Sequence, residues 1–361
     1  MKKINSLQSL RAFAFLVVLV SHCNFPKLQG SLGVSIFFIL SGFCLAINYI
    51  PKAETLPSSF VGCVRFGIGR IKKLYVLHII MLLFKMFFLW GMPHTALDYF
   101  SLLMNVCLLQ SLVPYPSVYS SYNGISWFLS TYMLVCMIAP PVMRLAERLK
   151  SGRKLISLSA IILVFMAAFG MITPRIAAAI SAPSVPYFTY NSPLFRIFDF
   201  SLGIFLGKYY LTFKSEGKTL GDGVSVGVGL AAVVCGLACT FGYPYLHDGI
   251  RNNLIYIPGS VLAITFCAFS SERIQKLIAC KPLVWLGNVS GYAFLIHNNI
   301  LEIFRYILNL LEFKYGYSRT AGETVIWIIL TFTFTVLATQ LYITAEGKVK
   351  ARLKSRAEQN A

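Results

Sequence analysis

The sequence predicts an all-α, polytopic membrane protein of about ten transmembrane helices, with both termini cytoplasmic. Three observations lead there. Hydrophobic residues make up 57% of the 361 residues and charged residues 12%, with a mean hydropathy of +0.70; a soluble domain carries about 25% charged residues. Apolar runs long enough to span a bilayer recur along the whole chain. The lysines and arginines between them form short clusters rather than one stripe, so the formal charge of +19 reads as a topology signal and not as a nucleic-acid interface.

The runs fall at about 7–25, 32–50, 74–91, 125–143, 155–172, 193–211, 222–242, 253–270, 283–308 and 324–343. The first begins after Met1-Lys2-Lys3, like a signal peptide, but no small-residue cleavage site follows and Arg11 interrupts the apolar core, so a retained helix is expected. A shorter run, Phe100 to Leu112, contains Asn105 and Gln110. With ten spans and the N-terminus inside, 22 of the 32 cations lie in the cytoplasmic segments 1–6, 51–73, 144–154, 212–219, 271–282 and 344–361. Outer segments hold Lys27, Arg175, Arg251, Lys314 and Arg319, and the helices hold Arg11, Lys85, Arg196, Lys208 and Arg305. An eleventh span at 100–112 would put the later basic loops outside, against the positive-inside rule. That run is therefore expected to be re-entrant or interfacial on the outer face, in a loop (92–124) without Lys or Arg. No hydrophilic stretch is long enough for a soluble domain and no tandem repeat is visible. A single domain, 1–361, is expected, with 344–361 as a basic cytoplasmic tail. The nine cysteines show no metal-ligand spacing, so neither a metal site nor a disulfide framework is expected.

Arg11 and His22 are the first candidates for chemistry. Eleven residues are about three helical turns, so the two share a face, roughly 16 Å apart along the axis. Ionisable side chains inside a span default to function because burying charge in lipid costs several kcal/mol, about 3 or more at mid-span. The alternative for each alone is an anchor at its own interface. On the expected topology Arg11 is nearer the cytoplasm and His22 nearer the outside, which suits a protein that passes a group outward. Ser41-Gly42 on the second helix permits close backbone approach and Gly33 marks a tight entry, and from physics alone ordinary small-residue packing is the better explanation. Arg65, Arg70, Lys72 and Lys73 face the cytoplasm; topology alone accounts for most of that cluster, and a phosphate clamp is compatible with it. Arg196 and Asp199 are i,i+3 neighbours, with structural and functional readings evenly balanced. Glu302 and Arg305 repeat that spacing near an outer end, where a structural role is favoured. Ser290 and His297 lie seven apart near one face, and a mid-span imidazole needs a partner. His78, His94 and His247 are placed at span ends or in loops, and His94-x3-Asp98 is a weak match. The aromatic stretch Tyr115–Tyr122 is compatible with stacking on sugar rings or with an interfacial belt.

Taken in order, these segments resemble the membrane acyltransferase-3 family over nearly the whole chain. Arg11-x10-His22 is similar to its helix-one motif, and Phe37-Phe38-Ile39-Leu40-Ser41-Gly42-Phe43 to its helix-two signature. Arg70-x-x-Lys73-Leu74-Tyr75 resembles an Arg-x-x-Arg-Ile/Leu-Tyr stretch. Trp127-Phe128-Leu129 leads toward Pro140 as in the family's Trp-x-Leu helix. Arg196-x-x-Asp199-Phe200-x-x-Gly203 is similar to an Arg-x-x-Glu-Phe-x-x-Gly pattern. Leu286-Gly287-x-x-Ser290-x-Tyr292 through His297 resembles a Leu-Gly-x-x-Ser-Tyr…His segment, with Gly291 where Tyr is common. Many members have Glu five residues after the Trp, where this chain has Tyr132, which suggests a different branch.

The resemblance implies an O-acyltransferase of a bacterial cytoplasmic membrane, moving an acyl group, acetyl by default, from cytoplasmic acyl-CoA to a hydroxyl of a surface polysaccharide or lipid-linked glycan such as O-antigen. It implies His22 as general base, Arg11 as the residue handling the donor, and Arg65, Arg70, Lys72 and Lys73 near the phosphates of acetyl-CoA. Ser41, Gly42, Trp127, Arg196, Asp199, Ser290, Tyr292 and His297 are the further motif positions. Two other readings compete: a glycan exporter or polymerase, for which a large outer loop with Arg or His is expected, whereas 92–124 has no Arg, and a non-catalytic membrane sensor or scaffold, which predicts tolerance to loss of His22.

Overall fold

A computed structural model describes residues 3–23, 25, 28–179, 186–315 and 321–359. Lys27 and Arg319, two of the expected outer cations, lie outside the described residues. The helices are, in order, α1 (Asn5–His22), α2 (Ser31–Tyr49), α3 (Phe60–Lys85), α4 (Ala96–Val106), α5 (Pro116–Tyr119), α6 (Trp127–Arg148), α7 (Gly152–Ala179), α8 (Pro193–Ser215), α9 (Asp222–Gly242), α10 (Asp248–Arg251), α11 (Tyr256–Phe269), α12 (Glu272–Ile278), α13 (Lys281–Tyr315) and α14 (Ala321–Gln359). No strand occurs among the described residues. Among the described residues, six stretches are long and apolar enough to cross a membrane: those built on α2, α6, α7, α9, α10 with α11, and α14. The other four expected runs, α1, α3, α8 and α13, are helical too, and carry the intramembrane polar residues Arg11, His22, Arg196 and His297. The chain is an all-helical, multi-pass membrane protein.

Polar helices sit inside and apolar ones outside, because lipid tolerates only the latter. Most of α1 and α2 is buried, whereas α7 and α9 expose most of their apolar side chains. Glycines let the inner backbones touch. A Cβ on Gly42 would lie 2.1 Å from the Phe200 carbonyl oxygen, and one on Gly203 would lie 2.0 Å from that of Ile39. This reciprocal contact locks α2 to α8. Gly33 does the same for α2 against α1, its Cβ direction ending 2.3 Å from the Ala14 carbonyl oxygen.

Two boundaries differ from the apolar runs. The helix expected from 74 begins at Phe60, capped by Ser59, whose hydroxyl accepts the Gly62 N–H. The basic stretch 65–73 is therefore the first part of α3 rather than a loop. Likewise the expected tail after 343 is a continuation of α14 through Gln359. After 343 the Lys, Arg and Ala residues are strong helix formers, so the helix outlasts the apolar run. The early part of α3 has no Ala and three glycines, and is supported instead by the Ser59 cap and by Gly67 packing against Met133 and Met137 of α6.

The ambiguous run near Phe100 forms α4. Its eleven residues reach roughly 16 Å, too short to cross a bilayer. The chain then turns back through Leu108 and Tyr122, both in the left-handed region at φ 54° and 53°. Asn105 and Gln110 are fully buried here. Serines take their amide N–H groups: Asn105 Nδ2 donates to Ser121 Oγ at 2.8 Å, and Gln110 Nε2 to Ser126 Oγ at 3.1 Å. The loop is thus a polar plug seated on the helix ends, which is how irregular backbone survives at membrane depth.

Gly203→Val forces a methyl-bearing Cβ into the Ile39 backbone and should cost about 1–3 kcal/mol. Unfolding in detergent micelles checks this: a lowered midpoint is expected, and a midpoint equal to that of the unmodified protein contradicts the close contact.

Candidate functional site

The site is built on the seam between α1 and α13. Gln8 lies against Gly287 and His22 against His297, so the contacts advance in the same direction along both helices. The two therefore run parallel. Gly287 makes this possible, since a Cβ there would lie 1.8 Å from the Gln8 carbonyl oxygen.

At one end of the seam the two imidazoles meet. His22 Nδ1 is 2.9 Å from His297 Nε2, and the rings stack at 5.2 Å with an interplanar angle of 11°. His297 is fully buried, and its Nδ1 lies 2.7 Å from the Phe294 carbonyl oxygen. A carbonyl only accepts, so His297 Nδ1 carries the proton. In a neutral ring Nε2 then accepts, and the hydrogen between the rings belongs to His22 Nδ1. That leaves the lone pair of His22 on Nε2, the arrangement of a base held by an orienting partner. His22 is only partly buried, and its backbone carbonyl accepts Arg305 Nη2 at 2.8 Å.

Toward the other end of the seam lies a cavity of two lobes, about 280 Å³ and about 540 Å³, both lined by Arg11, Ser41, Arg70, Lys73 and Tyr132. Cys44, Tyr49 and Lys52 join the larger lobe; Ser290, Tyr292 and Phe294 join the smaller. Arg11 is held loosely, donating to Gln8 Oε1 at 3.3 Å and to Cys44 Sγ at 3.5 Å. Arg70 donates to the Tyr49 hydroxyl at 2.8 Å and sits over the Phe66 ring at 4.7 Å. No carboxylate lines either lobe among the described residues. Four cations facing one concavity without a counter-charge make an anion site. Arg65 and Lys72 are exposed and line neither lobe. The reason is helical: Arg70 and Lys73 are i,i+3 neighbours, while Lys72 is turned about 200° from Arg70 and shares its face with Arg65. The expected four-cation cluster is therefore split into two, and Lys52, which sequence reading missed, takes a place in the cavity wall.

Between the cavity and the histidines stands an aromatic wall. Phe37, Phe128 and Phe294 all line the smaller lobe and touch one another, with ring centroids 5.1 Å apart for Phe128 and Phe294. Phe294 and Phe15 pack against His297 from the other side, at 5.6 and 5.8 Å. Tyr132 stacks on Phe128 with its ring 2° from parallel.

Other motif residues lie elsewhere. Arg196 and Asp199 form a completely buried ion pair. Arg196 also donates to the Tyr190 carbonyl at 2.7 Å and to Asn253 Oδ1 at 2.8 Å, and Asn253 Nδ2 donates to Asp199 at 3.2 Å. The guanidinium lies 4.8 Å from the Tyr190 ring, which in turn packs against Trp127 at 5.0 Å. These residues tie α2, α6, α8 and the segment before α11 together. Gly42 serves the α2–α8 crossing, and the Ser290 hydroxyl donates to its own helix at the Gly287 carbonyl, 2.9 Å away.

His78 is not at a span end: it is fully buried within α3, its Nε2 2.9 Å from the Asn105 carbonyl oxygen. Asp98 is a cap. It accepts the Thr95 and His94 backbone N–H groups while Thr95 Oγ1 accepts its own N–H. Bonds from the Thr95 backbone and hydroxyl, then from the His94 backbone, hold its carboxyl below the ordinary value. That small contribution to α4 is complete at neutral pH and is lost as pH falls through the depressed value. Tyr119 and Tyr122 of the outer aromatic stretch are buried, leaving Tyr115 as its exposed ring. An ion pair the sequence did not suggest, buried Lys85 with half-buried Glu302, joins α3 to α13.

A family model described as an acyltransferase domain matches residues 4–343. The acyltransferase MdmB of Streptomyces mycarofaciens is 25% identical over 343 residues, covering 88% of this chain and 83% of that protein. The peptidoglycan O-acetyltransferase OatA of Listeria monocytogenes is 23% identical over 327 residues, covering 86% of this chain and 51% of that protein. This chain thus corresponds to about half the length of the OatA relative. No solved structure matches.

Asp199→Leu strands the buried Arg196 charge and should destabilise the protein by about 3–5 kcal/mol, while Arg196→Met with Asp199→Leu should recover most of the loss. Denaturation midpoints of the three proteins decide; a double variant as unstable as the single one contradicts a purely structural ion pair.

Proposed function

Since the chain belongs to the acyltransferase-3 family, matched over residues 4–343, we propose that it moves an acyl group, acetyl by default, from cytoplasmic acyl-CoA to a glycan hydroxyl outside the membrane. The observation that carries this reading is the division of the α1–α13 seam. One end holds a cationic cavity around Arg11, and the other holds the His22–His297 couple. The enzyme crosses a bacterial cytoplasmic membrane ten times, with both termini inside, so that the cavity opens to the cytoplasm. The acceptor is a surface polysaccharide or lipid-linked glycan, in keeping with the relative named as a peptidoglycan O-acetyltransferase.

The donor's phosphates meet Arg70, Lys73 and Lys52 at the cavity mouth through charge-assisted bonds. Arg11 steers the pantetheine arm. It stands roughly 16 Å below His22 along α1, too far to touch the reacting carbonyl and comparable with the length of an extended arm. The thioester end passes the Phe37, Phe128 and Phe294 wall, which keeps water from the acyl group. At the outer end His22 Nε2 takes the proton of the acceptor hydroxyl as its oxygen attacks the thioester carbonyl. The tetrahedral adduct collapses, the C–S bond breaks, and the proton passes from His22 to the leaving thiolate. His297 fixes the tautomer of His22 and shares the positive charge that forms. Tyr132 stands where many members carry Glu, and leaves the cations of the cavity without a carboxylate, free for the donor.

Acyl-linked mass on surface glycan tests the proposal, comparing cells with the unmodified protein, His22→Ala and a deletion at matched expression. An alkali-labile acyl increment present only with the unmodified protein is expected, and its mass names the acyl group. An increment that survives His22→Ala rules out His22 as the base. A change in glycan amount or chain length without a change in mass transfers the reading to an exporter or polymerase.

A further inference from the structure

The last stretch of α14 extends well beyond any bilayer. The helix has 39 residues, roughly 58 Å of rise, about twice what a span requires. Its apolar part ends near Thr344, and the following residues include Lys348, Lys350, Arg352, Lys354 and Arg356. Two further side chains there are apolar and exposed, Val349 at 55% and Leu353 at 60%.

This extension rises beside the cavity. Tyr342 of α14 packs its ring 5.6 Å from that of Tyr292, and Tyr292 lines the smaller lobe. One and two turns further on, Glu346 and Lys350 remain within electrostatic reach of Tyr292, and Lys350 is held to Glu346 at 2.7 Å. Helical spacing puts Val349, Leu353 and Arg356 on the same face as Tyr342, with Lys350 and Arg352 about 80° to either side. Across the mouth stand Lys3, bonded to Asn288 at 2.7 Å, and Lys73.

We infer that the cytoplasmic extension of α14 is a second wall of the donor site, taking the phosphorylated adenosine head of acyl-CoA against Val349 and Leu353 with its phosphates on Arg352 and Arg356. The inference rests on the acyl-CoA reading above. A strip of apolar side chains edged by cations suits a flat ring carrying several phosphates, and the strip faces a cavity whose own walls carry no acid. It also gives the donor's head a place outside the membrane while the arm enters the cavity.

The test uses the full-length protein in nanodiscs, with Arg352→Glu and Arg356→Glu combined; both positions are exposed, so folding is not at stake. KM for acetyl-CoA should rise about tenfold or more, while kcat stays within about twofold and KM for the phosphate-free S-acetylpantetheine does not move. An unchanged KM for acetyl-CoA, or an equal rise for both donors, overturns the inference. So does a difference between the two proteins that vanishes when anionic lipid is replaced by neutral lipid, because the extension would then be reading the membrane. Calorimetric binding of adenosine 3′,5′-bisphosphate separates this inference from the broader reading. If the unmodified protein binds that nucleotide and the variant does not, the wall stands even where acetyl-CoA proves not to be the donor. If neither binds it, the wall falls whatever the donor.

Discussion

The contact of Gly287 with the Gln8 backbone sets how closely α1 and α13 approach, and the chemistry depends on it. A side chain at 287 would wedge the helices apart at the level of the cavity. His22 and His297 lie further along the same pair of helices, and a 2.9 Å hydrogen bond tolerates little separation. The same seam therefore shapes the anion cavity and aligns the two imidazoles. Around it, the reciprocal glycine contact of α2 with α8 and the buried Arg196–Asp199 network hold the inner helices rigid, so that the seam has firm neighbours.

Electrostatics divides the molecule along that seam. The cavity end collects Arg11, Lys52, Arg70 and Lys73 without an acidic neighbour in its walls. The opposite end balances its charges: Lys85 with Glu302, and Arg305 on a carbonyl oxygen. An unbalanced cavity of this kind attracts anions, while the far end of the seam presents a neutral imidazole pair, partly exposed at His22. Between the two, a wall of phenylalanines keeps each environment from screening the other.

Much of the fold was legible because helical membrane proteins write their architecture in hydropathy. All ten apolar runs are largely helical among the described residues, and the run at 100–112, kept out of the span count by the positive-inside rule, forms a helix of only eleven residues. What hydropathy does not see is a helix that continues past its apolar stretch, so the starts of α3 and the end of α14 were missed. The candidate site was legible by residue more than by arrangement. Arg11 and His22 stood out because charge and imidazole are costly in lipid, and His297 because a mid-span ring demands a partner. That the partner of His22 is His297 follows from tertiary packing of segments 275 residues apart, which no local pattern encodes. Spacing alone did contain the division of the basic cluster, since Arg70 with Lys73 and Arg65 with Lys72 fall on different faces of one helix. Arg196 and Asp199, balanced in the sequence between two roles, form a completely buried ion pair.

The central claim is that His22 and His297 act as one unit, the second orienting the first. A double-mutant cycle on acyl-transfer rate, with His22→Gln, His297→Gln and both together at matched expression, addresses it directly. If the two act as a unit, the double variant is no slower than His22→Gln alone, because a partner with nothing to orient has nothing left to lose. Losses that multiply contradict the account, and place His297 in a role independent of His22.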